Sequence, residues 1–256
     1  MAFTQRPGAD LYWKRDGRDD APALVLLNSI GTDMDLWDGM LPHLRDRFAL
    51  LRIDTRGHGA SIAEPGDYKL AMLADDVLAV ADAAGFGRFS VAGVSLGGMI
   101  GMELALRAPG RVEKLLPICT SATMDSAAWS DRVAKVRGEG MTAIADLAMG
   151  RFLSDAVEPA IYEAVRRQLL AMDAEGYAGC GAAIRDMDLA DRIGDISRPT
   201  LVITGTRDTS TPLEGHGEHL LARIPGASHA ALEAAHLAPL EAPKALAAVI
   251  TSFLES

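Results

Sequence analysis

A serine with glycines two positions away on either side is the most informative arrangement in the chain. The segment Gly93-Val94-Ser95-Leu96-Gly97 fits the pattern G-x-S-x-G. It follows an apolar run that predicts a buried strand, and helical spacing follows it. A sharp strand-to-helix turn of this kind raises a serine hydroxyl above the end of a sheet, and the flanking glycines relieve the crowding. We interpret Ser95 as a nucleophile; the alternative is an ordinary turn in which Ser95 caps the helix.

A serine nucleophile needs a base and a carboxylate that orients the base, and both have candidates further along the chain. Asp208 lies in a polar loop after an apolar run, and His236 follows a weaker one. The order Ser, Asp, His is the order that accompanies this type of serine turn. Asp208 alone could be a turn residue and His236 alone a surface histidine. The order and placement of all three favour a catalytic set.

The five other histidines fit the role of base less well. His58 belongs to a Gly-rich segment, 54–61, which we interpret as a structural turn that satisfies its own backbone. His216 and His219 are interpreted as solvated residues of a helix. His229 is assigned to a strand, where its side chain is committed to packing or to the sheet face.

An acyl-transfer site also needs donors for the developing oxyanion. One expected donor is the backbone N–H of Leu96, directly after the serine. The other is expected from the loop that follows the first core strand, which reads Asn28-Ser29-Ile30-Gly31-Thr32. We assign that second donor to the N–H of Ile30.

The elements that must position these residues alternate between short apolar runs and amphipathic helical patterns. This alternation predicts parallel strands covered by helices on both faces, an α/β architecture. An edge hairpin is expected near the N-terminus, with a turn at Asp16-Gly17. Helices are expected over 70–84, 97–108 and 244–254, and core strands over 23–27, 48–53, 89–94, 112–119, 199–204 and 227–232.

Residues 121–195 break the alternation, because they show helical patterns and no convincing strand. The pattern predicts a helical cap over 121–195, inserted into a core formed by residues 1–120 and 196–256. We expect two cap side chains, Trp129 and Arg132, to lie on neighbouring faces of one helix because they are three residues apart.

Composition excludes several classes of protein. The chain has 256 residues, 49% of them hydrophobic, and a formal net charge of −10, which argues against a nucleic-acid binder. No run is long and apolar enough for a membrane helix, and the N-terminus has no signal-peptide core. Two cysteines, Cys119 and Cys180, make neither a disulfide framework nor a zinc site. We therefore expect a cytoplasmic protein with no membrane association and no metal.

The motifs together resemble the α/β-hydrolase superfamily across nearly the whole chain, and in particular its 3-oxoadipate enol-lactonase group. The segments that carry the resemblance are LVLLNSIGTDMDLWDGMLPHL, LRIDTRGHGAS, VAGVSLGG, GYAGCGAAIRDMDL, TLVITGTRDTSTP and AAHLAPLEAP. The resemblance implies a mostly parallel eight-stranded sheet with helices on both faces and a helical cap. It places the nucleophile, acid and base on Ser95, Asp208 and His236. Gly181 departs from the pattern, since a second cysteine is expected there.

The resemblance also implies a reaction, the hydrolysis of 3-oxoadipate enol-lactone to 3-oxoadipate in the β-ketoadipate pathway of aromatic catabolism, with no cofactor. The expected partner is this small carboxylate-bearing lactone, which needs a cation near the pocket. We assign Trp129 as an apolar wall and Arg132 as that cation. The alternative is a buried cap-anchoring tryptophan and a solvated arginine, with Arg137 and Arg185 as rival cations.

Other functions of the same fold stay open at this point: a carboxylesterase or other lactonase, a cofactor-free haloperoxidase, or a non-catalytic binding protein. The oligomeric state is also open, a homo-oligomer included.

Overall fold

One sheet runs through the protein, and its order brings the ends of the functional strands together. The computed structural model describes residues 2–256, so Met1, with which the expected core begins, lies outside it. Eight strands follow the order β1-β2-β4-β3-β6-β7-β8-β9, and the two-residue β5 pairs with β2. The strands are β1 Ala2–Arg6, β2 Ala9–Gly17, β3 Ala23–Leu27, β4 Ala49–Ile53, β5 Ile62–Ala63, β6 Phe89–Val94, β7 Val112–Ile118, β8 Leu201–Gly205 and β9 Ser228–Leu232.

The strand directions confirm the expected mostly parallel sheet. In the sheet order β4-β3-β6-β7-β8-β9 every pairing is parallel, whereas β2 pairs antiparallel with β1, β4 and β5. Strands β4, β6 and β8 are buried at every position. Burial on both faces explains why their sequences are mostly apolar and do not alternate between apolar and polar residues.

Ten α-helices accompany the sheet within residues 2–256. The expected helices are found within about two residues, and their ends follow local rules: Gly85, with φ +77°, follows α2, and Pro243 opens α10. The helices are α1 Leu41–Leu44, α2 Leu70–Ala83, α3 Leu96–Arg107, α4 Ser126–Glu139, α5 Ala145–Phe152, α6 Pro159–Ala171, α7 Ala174–Arg185, α8 Glu218–Arg223, α9 Ala238–Glu241 and α10 Pro243–Leu254.

Helices α4 to α7 occupy the chain between β7 and β8, and the described residues of that segment form no strand. The domain boundaries at 120/121 and 195/196 stay a prediction. Helix α7 is unusually rich in glycine for a helix, and close packing explains it. A Cβ at Gly179 would lie 2.5 Å from the ring of Tyr68, and one at Gly181 would lie 2.9 Å from Val133 of α4. Tertiary contact therefore overrides the weak helix propensity of glycine.

The N-terminal hairpin differs from the expectation at its turn. Asp16 and Gly17 are not a turn; they are the last residues of β2, and the chain reverses instead at Gly8, which has φ +68°. The carboxylate of Asp16 is drawn into the sheet region because it accepts from Arg52 Nε at 2.8 Å. No helix among residues 2–256 is long and apolar enough to cross a bilayer.

Candidate active site

Ser95 lies at the junction of β6 and α3. Its backbone has φ 54° and ψ −115°, a conformation that residues other than glycine rarely adopt. The turn is so tight that its neighbours must be glycines. A Cβ at Gly93 would lie 2.6 Å from the amide nitrogen of Gly98, and one at Gly97 would lie 2.6 Å from the carbonyl carbon of Leu27. Strain of this kind persists only where surrounding structure holds it, and it concentrates at functional sites.

The neighbouring strand holds the strained turn on both sides of Ser95. The Ser95 N–H donates to the carbonyl of Ile118 at 2.9 Å, and the Thr120 hydroxyl donates to the carbonyl of Ser95 at 2.6 Å. The Ser95 side chain lies at the first turn of α3, where free N–H groups and the helix dipole favour negative charge. This placement matches the expected nucleophile turn.

His236 and Asp208 form the pair expected from the sequence. His236 Nδ1 lies 3.0 Å from Oδ2 and 3.2 Å from Oδ1 of Asp208, and both residues are buried. Asp208 also accepts from the Ser210 and Thr211 N–H groups and from the Thr211 hydroxyl. Because the carboxylate is the acceptor, Nδ1 carries the proton of a neutral imidazole and Nε2 stays free to accept one.

The electrostatics of this pair keep the acid ionised. Burial alone would raise the pKa of Asp208, but the charge and hydrogen bond of His236, with the N–H groups of Thr211 and Ser210, lower it to about 2. Asp208 is therefore a carboxylate throughout the neutral range and can stabilise an imidazolium at His236.

Ser95 follows β6 and His236 follows β9, with two strands between them in the sheet, and no hydrogen bond joins them within residues 2–256. Next to Ser95, residue Cys119 at the end of β7 donates from Sγ to the carbonyl of Ala235 at 3.8 Å. Among residues 2–256, no hydrogen bond joins the Ser95 hydroxyl to another residue. Catalytic hydrogen bonds are often long in unliganded enzymes and tighten only when substrate binds. The cap residue Phe152 stacks on His236 with ring centroids 6.1 Å apart.

Both expected oxyanion donors are free. Within the described chain, neither the Ile30 nor the Leu96 N–H has a hydrogen-bond acceptor. The loop that carries Ile30 is anchored by Asn28, whose amide donates to the Ile53 carbonyl and accepts from the Trp37 indole. Asn28 therefore has a structural role at the base of this loop.

The Gly-rich segment 54–61 serves the structural role that its sequence predicts, and it does more. Asp54 accepts from the N–H groups of Met34 and Ala60, and burial raises its pKa to about 6. His58 donates from Nδ1 to the Arg56 carbonyl, within its own turn. Its Nε2 reaches outside the turn and accepts from Gly31 N–H at 3.1 Å. No sequence signal pointed to this second bond.

The interpretation of His216 and His219 as solvated is wrong. His216 is half-buried and its Nδ1 lies 2.9 Å from the hydroxyl of Ser121. Nε2 of His219 is buried, and it has no partner among residues 2–256. Both residues are half-buried.

The cap places Arg132 directly over Trp129, with the guanidinium 4.6 Å from the ring. Trp129 is buried and Arg132 is half-buried, so neither is simply solvated. Arg137 and Arg185, the rival cations, both pair with Asp67, at 2.7 and 2.8 Å. Arg132 pairs with no carboxylate in the part of the chain that the structure describes.

Tyr177 on α7 is a candidate binding residue that the sequence did not single out. It is fully buried, and its hydroxyl has no hydrogen-bond partner within residues 2–256. Burial raises its pKa, and the positive charges of Arg132 and Arg151 act against that rise. Arg132 therefore lies close to the Tyr177 hydroxyl. A buried, unpaired hydroxyl costs free energy unless something bonds to it, which makes it a candidate ligand contact.

Comparison with known proteins agrees with this geometry. A family model described as the alpha/beta hydrolase fold matches residues 22–148. The chain is 35% identical to 3-oxoadipate enol-lactonase 2 of Acinetobacter baylyi, over 90% of this chain and 87% of the relative. The crystal structure of the enol-lactonase from Burkholderia xenovorans LB400 is 34% identical and covers 100% of both chains, with a TM-score of 0.96. A hydrolase from Pseudomonas aeruginosa PA01 is 42% identical with a TM-score of 0.94, over 100% of this chain and 98% of that one.

Proposed function

Because the chain belongs to the α/β-hydrolase family, we propose that it hydrolyses 3-oxoadipate enol-lactone to 3-oxoadipate through a serine acyl-enzyme. The observation that carries the proposal is the buried His236–Asp208 hydrogen bond at the sheet edge that also bears the strained Ser95 turn. The enol-lactonase relatives support the choice of substrate within the ester and lactone hydrolases.

In the first half of the reaction, the Ser95 hydroxyl attacks the lactone carbonyl while Nε2 of His236 takes its proton. The carbonyl oxygen becomes an oxyanion that the free N–H groups of Ile30 and Leu96 receive. Asp208 holds the imidazole in orientation and stabilises its positive charge. The acyl C–O bond of the ring then breaks, and the imidazolium returns the proton to the departing enol oxygen.

In the second half, water attacks the acyl-enzyme with His236 again as base. The bond to Ser95 breaks, the serine regains its proton, and the second carboxylate of the product is released. The enol formed by ring opening tautomerises to the ketone, which helps drive the hydrolysis forward. Each step uses the side chains and backbone N–H groups named here, together with water.

The free carboxylate of the substrate is proposed to bind Arg132, with Tyr177 as a second donor. Arg132 has no carboxylate partner within the described residues, whereas Arg137 and Arg185 are engaged with Asp67. The guanidinium of Arg132 stacks on the ring of Trp129, a contact that favours its positive charge. A carboxylate between Arg132 and Tyr177 would supply the bond that the buried hydroxyl lacks.

The substrate assignment predicts a clear preference in steady-state kinetics. We expect kcat/KM for 3-oxoadipate enol-lactone to exceed that for the neutral ester p-nitrophenyl acetate by at least about 100-fold, because charged hydrogen bonds each contribute about 1.5–3 kcal/mol. Both reactions should be measured on one enzyme preparation. Higher efficiency with the neutral ester, together with no turnover of the lactone, would contradict the lactonase proposal and favour a carboxylesterase.

The carboxylate assignment predicts a defect confined to binding of the charged substrate. In Arg132→Gln we expect KM for the enol-lactone to rise by about 10- to 100-fold, since a charged hydrogen bond is lost. The kinetics of p-nitrophenyl acetate should not change. Arg137→Gln, on the same helix but paired with Asp67, is the matched control and should leave both substrates unaffected. An unchanged KM in Arg132→Gln would remove Arg132 from the binding site.

A further inference from the structure

Asn28 anchors the base of the loop that carries the Ile30 oxyanion donor, and the side chain of His58 ties the tip of the loop to a distant segment of the chain. The loop closes on itself through the N–H and hydroxyl of Thr32, which both donate to the Ser29 carbonyl. At its tip, Gly31 has φ +83° and donates its N–H to Nε2 of His58 at 3.1 Å. This bond acts one peptide away from the Ile30 N–H.

We propose that His58 is a positioning residue for catalysis, which fixes the oxyanion loop by accepting the Gly31 N–H so that the neighbouring Ile30 N–H faces the serine turn. The proposal rests on the proposed acyl-transfer function. It assigns His58 no contact with substrate and no proton transfer.

The two hydrogen bonds of His58 allow only one state of its ring. The Arg56 carbonyl can only accept, so Nδ1 must donate; the Gly31 N–H can only donate, so Nε2 must be unprotonated. A protonated ring would put an N–H against the Gly31 N–H and break the tie. Complete burial lowers the pKa of His58 to about 4, so the required neutral form persists through the neutral range.

The surroundings of His58 keep the ring in this position. The side chain is 1% exposed, and Sγ of Cys180 on α7 lies 4.0 Å from Nδ1. The nearby charged group from the cap, Asp173, acts on the ring only through its charge and favours protonation weakly against burial. Gly31 itself lies under the cap, since a Cβ there would be 3.0 Å from Leu169 and 3.3 Å from Phe152.

Two substitutions separate the two hydrogen bonds of the ring. His58→Gln places its amide oxygen where Nε2 was and can still accept the Gly31 N–H, whereas His58→Asn reaches only the Nδ1 position and the Arg56 carbonyl. We expect His58→Asn to lower kcat for p-nitrophenyl acetate about 10- to 100-fold at nearly constant KM, less than the complete loss of an oxyanion donor. His58→Gln should keep kcat within about threefold of the parent value. Cys180→Ala, which touches the same ring but not Gly31, is the control.

The kcat values of His58→Asn and His58→Gln together either support or overturn the proposal. Equal kcat values in the two variants, both near the parent value or both low, would overturn it, because a merely structural histidine would not distinguish them. The assay uses p-nitrophenyl acetate, a neutral ester. The role of His58 can therefore be tested even if the enol-lactone is not the substrate. In the unsubstituted protein, ¹⁵N NMR should show His58 Nε2 unprotonated at neutral pH, and a protonated Nε2 would overturn the proposal without any variant.

Discussion

Ser95→Ala is expected to reduce kcat for the enol-lactone by about 10⁴- to 10⁶-fold, the range seen when a serine nucleophile is removed and other site contacts are left in place. The chemical reason is that no acyl-enzyme can form without the hydroxyl. The loss is measured as kcat from steady-state rates of enol-lactone hydrolysis. Mass spectrometry after treatment with a fluorophosphonate should show one adduct on the parent enzyme and none on the variant.

The control for this substitution is a serine with the same change and no place in the site. Ser130 on α4 is exposed, and its hydroxyl only donates to the Ser126 carbonyl one turn earlier. Ser130→Ala should retain full activity and the adduct. If Ser95→Ala kept more than about a tenth of the parent kcat, the proposed mechanism would be wrong, since a lost nucleophile costs far more than tenfold.

Asp208→Asn is expected to lower kcat by about 10⁴-fold while substrate binding changes little. An asparagine amide can donate to Nδ1, which favours the imidazole tautomer with its proton on Nε2. That tautomer cannot accept the serine proton. The measurement is kcat and KM against pH from 5 to 9, with circular dichroism to show that the variant is folded.

The lowered pKa of Asp208 determines how this residue should affect stability and activity as the pH changes. Since it is lowered to about 2, the carboxylate's contribution to stability is present above its ordinary pKa near 4 and is lost as the pH falls through 2. Asp208 therefore contributes no limb to the activity profile in the neutral range. Asp125→Asn is the control, because the side-chain amide oxygen introduced there would still accept from the first N–H groups of α4. Near-normal kcat in Asp208→Asn would exclude its proposed role.

The core and the candidate site were open to prediction from sequence because their signals are local. Buried parallel strands read as apolar runs, and the glycines around Ser95 are required by backbone approach within a few residues. The order Ser95, Asp208, His236 can also be read directly from the sequence. These features depend little on what packs against them.

The features that the sequence did not predict depend on residues that are distant in the chain. Asp16 is typical of a turn, but it lies in β2, where it pairs with Leu50 of β4 and accepts from Arg52, 36 positions away. The bond from Gly31 to His58 spans 27 positions, and the orphan hydroxyl of Tyr177 is defined only by what surrounds it. Glycine-rich α7 likewise depends on contacts outside the helix. Tertiary context cannot be deduced from the spacing of residues in one segment.

The glycine contact between core and cap has a consequence for how the lid can change. A Cβ at Gly176 of α7 would lie 2.6 Å from the Cα of Gly57, so at this point the two backbones touch with no side chain between them. Even a substitution of Gly176 by alanine would not fit here, because its methyl group would push α7 away from the core. We therefore expect substitutions that change substrate choice to be tolerated more readily in α4 to α6 than where α7 contacts the core.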